Sequence, residues 1–192
     1  RSNWQQEVNL LKQLQLPNVV SYVDAFVETV ELAEYGYLVQ EYIDGQSLRE
    51  EYEQTRYTQD QVQQIIEEIL QILVALQKLT PPVIHRDLKP SNIMRHATTG
   101  ELILIDLGLA VDHQENEFGN TIAAGTLGYQ APEQISGFPI PASDVYSVGV
   151  IAVELLSRRA PKEMLWGQKL RWESSVFSVR KQWKKWLGQA LT

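Results

Sequence analysis

The 192-residue chain contains no cysteine, so disulfide, zinc–thiolate and thiol chemistry are all excluded. No apolar run approaches the roughly 18 residues of a membrane span. The first residues also lack the charged-then-apolar pattern of a secretory leader. A cytoplasmic location is therefore the expectation. Positive charge is in deficit, with 17 Lys and Arg against 24 Asp and Glu and a formal charge of −7. That balance argues against a general binder of nucleic acid or anionic membrane. Internal repeats, low-complexity tracts and linkers are absent, and the length suits one domain with a substantial core. The chain opens on Arg1 and stops in what reads as a helix, so a piece of something longer is expected.

Against this background one stretch concentrates chemistry: His85-Arg86-Asp87-Leu88-Lys89-Pro90-Ser91-Asn92, followed after a short apolar run by Asp106-Leu107-Gly108. Short strands, Val83-Ile84 before the loop and Ile93-Met94 after it, can hold Asp87 towards a hydroxyl nucleophile while Asn92 faces a metal. Asp106 ends a strand, Leu102 to Ile105, and Gly108 permits a sharp turn that turns the carboxylate towards the same metal. Lys89 then stands beside Asp87 as a point charge for a moving phosphoryl group. Two carboxylates, an amide and an ammonium in two neighbouring loops are what phosphoryl transfer from a metal nucleotide requires. Each residue alone is an ordinary turn or loop former; the order and spacing carry the signal.

On these residues the chain resembles a eukaryotic-type protein kinase domain of the serine/threonine class. The resemblance implies ATP and Mg²⁺, a protein substrate carrying Ser or Thr, Asp87 as catalytic base, and Asn92 and Asp106 as metal ligands. It implies that Arg86 is the cation for a phosphorylated activation segment. Lys89 fits the serine/threonine pattern, whereas Leu107 replaces the usual phenylalanine with another apolar group. Within the segment between Asp106 and Ala131-Pro132-Glu133, Thr121 is the expected phosphorylation site, with Glu115 or Glu117 as unmodified alternatives for meeting Arg86. Thr126, in Gly125-Thr126-Leu127-Gly128-Tyr129, matches the family threonine that contacts Asp87 and Lys89 on the substrate platform. Glu133 matches a glutamate tied to an arginine that would lie beyond Thr192.

The remaining chain can be read in order. Asn3 to Leu16 has helical apolar spacing, ended by Pro17-Asn18; by resemblance it is the C-helix of the small lobe, with Glu7 as the glutamate that pairs with a strand lysine upstream of Arg1. Lys12 lies on another side of that helix. Val19 to Val30 and Tyr35 to Tyr42 read as strands joined by the polar Glu31 to Glu34. The second leads into what resembles the hinge between lobes, where Glu41, Tyr42 and Ile43 offer backbone groups to adenine and Gln40 is the gatekeeper. Thr58 to Leu79 reads as an amphipathic helix with Thr58 as N-cap. Ala142 to Ser157 is apolar nearly all round and belongs in a core; Asp144 near its start matches the residue that anchors the catalytic loop. Trp183, Trp186, Leu187 and Ala190 make an amphipathic core helix, a better account of the lysines among them than nucleic-acid contact.

The expected fold is α+β and two-lobed, with residues 1–43 as an incomplete small lobe and 44–192 as the large lobe. The expected function is ATP- and Mg-dependent transfer to protein Ser or Thr hydroxyls. Two alternatives stand: a non-catalytic pseudokinase or scaffold that signals by binding, and a small-molecule phosphotransferase sharing the fold. The second does not usually carry the segment Gly125 to Glu133.

Overall fold

A computed structural model describes residues 3–31, 33–107, 110–112, 125–167, 169–176 and 178–192. Helix α1 (Asn3–Gln13) turns its Val8 and Leu11 inward. It stops three residues before the expected Leu16. Pro17 disfavours helical backbone at the residue before it, and Leu14, still bonded from its N–H to the Leu10 carbonyl, is the last residue of the helical ladder.

Strands β1 (Tyr22–Val30) and β2 (Ala33–Gln40) form an antiparallel pair from Tyr22↔Gln40 to Val30↔Ala33. Strand β1 begins later than the expected Val19 because Val19 is drawn elsewhere. It bridges Leu104 in parallel, and Val20 N–H donates to the Leu104 carbonyl at 2.9 Å. Asn18 reinforces the junction, its side-chain amide donating to the Leu102 carbonyl at 2.9 Å. The N-terminal region is thus tied to the strand that leads to Asp106.

A three-stranded antiparallel sheet follows, ordered β3 (Gly45–Ser47), β5 (Ile93–His96) and β6 (Leu102–Leu104). Strand β4 (Val83–Ile84) pairs with β7 (Val111–Asp112). Between β4 and β5 lies the chemically dense loop, closed by a 3₁₀ turn over Pro90–Asn92. Helix α2 (Leu48–Gln54) starts on a capping box between Ser47 and Glu50, in which each side chain takes an otherwise orphaned helix donor.

Two long helices make the core. Helix α3 (Gln59–Gln77) begins on a second capping box, Thr58 with Gln61, and buries Val62, Ile65, Ile66, Ile69, Ile72, Leu73 and Leu76. All of these but Ile72 are on the stripe its periodicity predicts, and each such side chain contributes roughly 1.5–3 kcal/mol when fully buried. Helix α5 (Pro141–Ser157) is buried on all sides. It follows the short α4 (Pro132–Ile135) and packs against α3 and α6 (Lys181–Ala190). A small hairpin, β8 (Leu165–Trp166) with β9 (Lys169–Leu170), lies between α5 and α6. Among the described residues no helix is long and apolar enough to cross a membrane.

Candidate active site

Asp87 is buried and accepts from three side chains. Lys89 Nζ lies 2.6 Å from Oδ2, Thr126 Oγ1 donates to Oδ1 at 2.7 Å, and Asn92 Nδ2 approaches Oδ2 at 3.3 Å while donating to the Asp87 carbonyl at 3.0 Å. Thr126 also accepts from Lys89 at 2.9 Å. One hydroxyl therefore bridges the members of the ion pair and holds the 125–133 segment against the loop.

The backbone of the loop is bent to achieve this. Arg86 has a φ of 70° and Asp106 of 62°, conformations that non-glycine residues adopt only under constraint. The constraint is visible at Arg86. Its N–H donates to Asp144 Oδ1 at 2.9 Å, the His85 N–H donates to Asp144 Oδ2 at 2.8 Å, and Gln134 Nε2 donates to the Arg86 carbonyl at 2.6 Å. Gly125, with a φ of 124°, passes so close that a Cβ there would lie 2.7 Å from Gln134 Nε2 and 2.8 Å from the Arg86 oxygen. Only glycine fits at that point.

Electrostatics follow from the burial. Asp144 is 1% exposed, and its carboxyl is pushed up to about 6 by desolvation, against the pull of the two N–H donors and of Arg86. Burial likewise pushes the His85 imidazole down to about 4. That ring is neutral, and because Nδ1 accepts from the Asp87 N–H at 3.2 Å, its proton resides on Nε2. Arg86 is lowered by burial, opposed by Asp144. Its Nε has no hydrogen-bond partner among the described residues.

The Ile105 N–H donates to the Asn92 carbonyl at 2.9 Å, which sets Asp106 beside Asn92. From α1, Glu7 faces the same space: its carboxyl is raised first by burial and then by the charge of Asp106. Lys12 is directed elsewhere, its ammonium 5.0 Å from the Tyr22 ring centroid. Asn92 and Asp106 carry hard oxygen atoms that could hold a cation, and a two-ligand protein set is compatible with Mg²⁺, which binds few protein groups and completes its shell with phosphates and water. Two carboxylates sharing a partly desolvated cleft also leave it short of positive charge.

At the end of β2, Gln40 carries a buried Nε2 without a hydrogen-bond partner among the described residues. The Glu41 N–H is engaged by the Ser21 carbonyl at 3.0 Å and its carboxylate by the Ser21 N–H at 2.9 Å. Of the Glu41 peptide groups expected to face a ligand, the N–H is thus already taken. Tyr42 is 88% exposed and Ile43 buried. Glu133 Oε1 accepts from Ser143 Oγ at 2.5 Å, fixing α4 to the start of α5. Thr121, Glu115, Glu117 and Gly108 lie outside the described residues.

The protein kinase domain model matches residues 1–184. The chain belongs to the protein kinase family. Its curated relatives include serine/threonine-protein kinase B of Synechocystis, 35% identical over 158 residues, covering 77% of this chain and 26% of that protein. Serine/threonine-protein kinase C of Synechocystis is 32% identical over 189 residues, 88% of this chain and 34% of that protein. Serine/threonine-protein kinase PknA of Nostoc is 30% identical over 176 residues, covering 85% and 30%. The chain thus spans about a third or less of the length of these relatives. The fold is the mixed α and β one expected for that family.

Several residues that hold the site carry no role in the motif reading, His85 among them although it stands in the motif itself. His85 and Gln134 hold backbone groups of the loop, and Ser143, Ser147 and Glu154 hold neighbouring segments. A signal existed for the last three: they are polar residues inside a helix that is otherwise apolar all round, and a polar group in such a place needs a partner.

Proposed function

We propose that the chain is the catalytic part of an ATP- and Mg-dependent protein serine/threonine kinase, with residues 1–43 on the small-lobe side of the nucleotide and 44–192 on the large-lobe side. The observation that carries this reading is the bonding of Asp87. A carboxylate held on one oxygen by a threonine and on the other by a lysine is fixed in direction, and orientation is most of what phosphoryl transfer asks of a protein.

In this reading Asp87 receives the proton of a substrate Ser or Thr hydroxyl. Lys89, already 2.6 Å from Asp87, neutralises charge on the transferring phosphoryl oxygens. With its amide nitrogen engaged by Asp87, Asn92 has its carbonyl oxygen left for a cation, alongside the carboxylate of Asp106. Mg²⁺, when bound, supplies charge neutralisation across the phosphates. Glu41 contributes its carbonyl, and Tyr42 and Ile43 their peptide groups, to the adenine edge, with Gln40 behind it. Asp144 anchors the loop through the two N–H groups it accepts.

The test is transfer of labelled phosphate from ATP, with Mg²⁺, to a basic protein substrate by the full-length protein. Asp87→Asn is expected to lower turnover by about 10² to 10⁴-fold, the range of general-base assistance, with phosphoserine or phosphothreonine as the product. A second reading, a binding module without catalysis, draws on Glu7, which has no Lys or Arg within 4 Å among the described residues. Mg-dependent nucleotide binding without transfer in the wild-type protein would select it.

A further inference from the structure

The formal charge of −7 hides a division along the chain. Residues 1–157 hold twenty-two Asp and Glu against eight Lys and Arg, whereas residues 158–192 hold two against nine. Within that basic part, helix α6 carries Lys181, Lys184 and Lys185, all exposed. At 3.6 residues per turn these three and Gly188 fall within an arc of about 100°. The arc lies on the side of the helix away from the buried Trp183 and Leu187.

The fold draws no support from this face. The ion pairs among the described residues join Arg49 to Glu154, Lys89 to Asp87, Arg95 to Glu51, Arg159 to Glu163 and Arg180 to Asp60. The three lysines have no carboxylate within 4 Å among those residues. Three local choices even oppose the helix. Its first turns carry cations at the positive end of the helix dipole, and no acidic residue stands in the first turn to offset them. Lys181 repels Lys184 and Lys185 at separations of three and four. Gly188 lies inside the helix, where glycine is the poorest former after proline, yet a Cβ added there meets nothing within 4 Å. Neither a neighbour nor a left-handed turn requires glycine at that point. Residues that work against their own element, all on one open arc, mark a face shaped by something outside the fold.

Their chemistry selects the partner. Three unpaired ammonium groups call for anions, and lysine presents a point charge without the fork by which arginine grips phosphate. Trp183 is buried and packs edge-on against Trp186, ring centroids 5.6 Å apart, so these rings are not offered to nucleobases. No apolar side chain stands on the arc to enter a bilayer. The acidic remainder of the chain opposes a broad anionic surface, but it steers a narrow one to this face. The spacing completes the description: positions 181, 184, 185 and 188 run along the helix axis for about 10 Å at 1.5 Å per residue. That is the repeat of a second helix, and the bare backbone at Gly188 lets it come close.

We propose that the outer face of α6 binds an acidic helix of a partner protein. Asp or Glu side chains at spacings of three, four and seven on that helix meet Lys181, Lys184 and Lys185, and its backbone passes over Gly188. None of these residues takes part in the site around Asp87, so the inference stands independently of phosphoryl transfer.

The experiment follows the fluorescence anisotropy of a labelled alanine-based helical peptide, with Glu at every third or fourth position on one face, as full-length protein is added. An isomer with the same glutamates scattered round the helix runs beside it. The patterned peptide is expected to bind about tenfold more tightly than the isomer, and Lys184→Gln with Lys185→Gln to weaken it about tenfold, as two exposed ion pairs would. Gly188→Gln separates binding from folding. It puts a good helix former in place of glycine, and should raise the melting temperature while weakening the peptide by a similar factor. Equal binding of the two peptides, binding untouched by the lysine changes, or a Gly188→Gln protein that binds as wild type does overturns the proposal. So does lysine-dependent binding to phosphatidylserine vesicles or to duplex DNA that exceeds binding of the patterned peptide, which would assign the face to lipid or nucleic acid.

Discussion

His85 and Asp144 are joined by a backbone hydrogen bond of 2.8 Å and titrate in opposite senses. Burial disfavours the charged form of each, but for histidine that form is the protonated one and for aspartate the deprotonated one. With a folded pKa of about 4 against 6.5 unfolded, His85 binds its proton more readily in the unfolded chain. Its contribution therefore does not penalise folding above pH 6.5, grows as a penalty as pH falls, and saturates near pH 4. Asp144, at about 6 against 3.8, does the reverse: its penalty is absent below 3.8 and complete above 6. Replacing His85 by Phe removes one of the two opposed slopes. Denaturant unfolding of both proteins at pH 7 and pH 5 should show wild type losing about 2 kcal/mol more than His85→Phe over that interval, at 1.36 kcal/mol per pKa unit. Parallel curves would show that the imidazole is not held neutral by burial.

At the scale of elements, the placement of Glu7 depends on a contact remote from any motif. The indole of Trp4, at the start of α1, lies on β2 at Gly36, where an added Cβ would sit 2.7 Å from Trp4 Cδ2 and Cε2. A fused ring cannot give way as a flexible chain end does, so Gly36→Ala must displace the helix, and Glu7, one turn on, moves with it. The expected result is a loss of about 1–3 kcal/mol, the usual range for overpacking, with reduced turnover. Adding Trp4→Ala should recover part of the loss, because the two changes share one contact. Additive losses would remove the packing account. Nothing in Tyr35-Gly36-Tyr37 announces what lies over the glycine, and this marks where sequence reading ends. The stripe of α3, the apolar α5 and the spacing from His85 to Asn92 are legible because each is local. The end of α1 and the start of β1 are shifted by Pro17 and by the pairing of Val19 with Leu104, residues 85 positions apart in the chain. The Arg49–Glu154 pair is equally illegible, since one partner reads as a surface charge and the other as an oddity in a core helix.

For the molecule as a whole, α5 is the frame on which the site is assembled. Four polar side chains interrupt its apolar surface, and between them they hold three pieces of the site. Ser143 holds Glu133, Asp144 the backbone of His85 and Arg86, Ser147 the Tyr129 carbonyl at 2.8 Å, and Glu154 the Tyr129 hydroxyl. The loop with Asp87 and the segment with Thr126 are therefore positioned by one rigid body, so the 2.7 Å bond between those residues reports on the integrity of the core. Asp144 tests this most directly. Asp144→Ala orphans two buried N–H groups at about 1–3 kcal/mol each, partly offset by removing a carboxylate whose ionisation is itself disfavoured by burial. A net loss of a few kcal/mol is expected, together with a fall in turnover that persists at temperatures where the variant is fully folded, because Arg86 loses the tether that maintains its φ of 70°. Ser147→Ala serves as the comparison: it removes one hydrogen bond from the same helix without touching the loop, and should lower stability by about 1 kcal/mol with a smaller effect on turnover. Should Asp144→Ala melt as wild type does, or turn over normally once folded, the loop would have to take its shape from Gln134 and Gly125 instead.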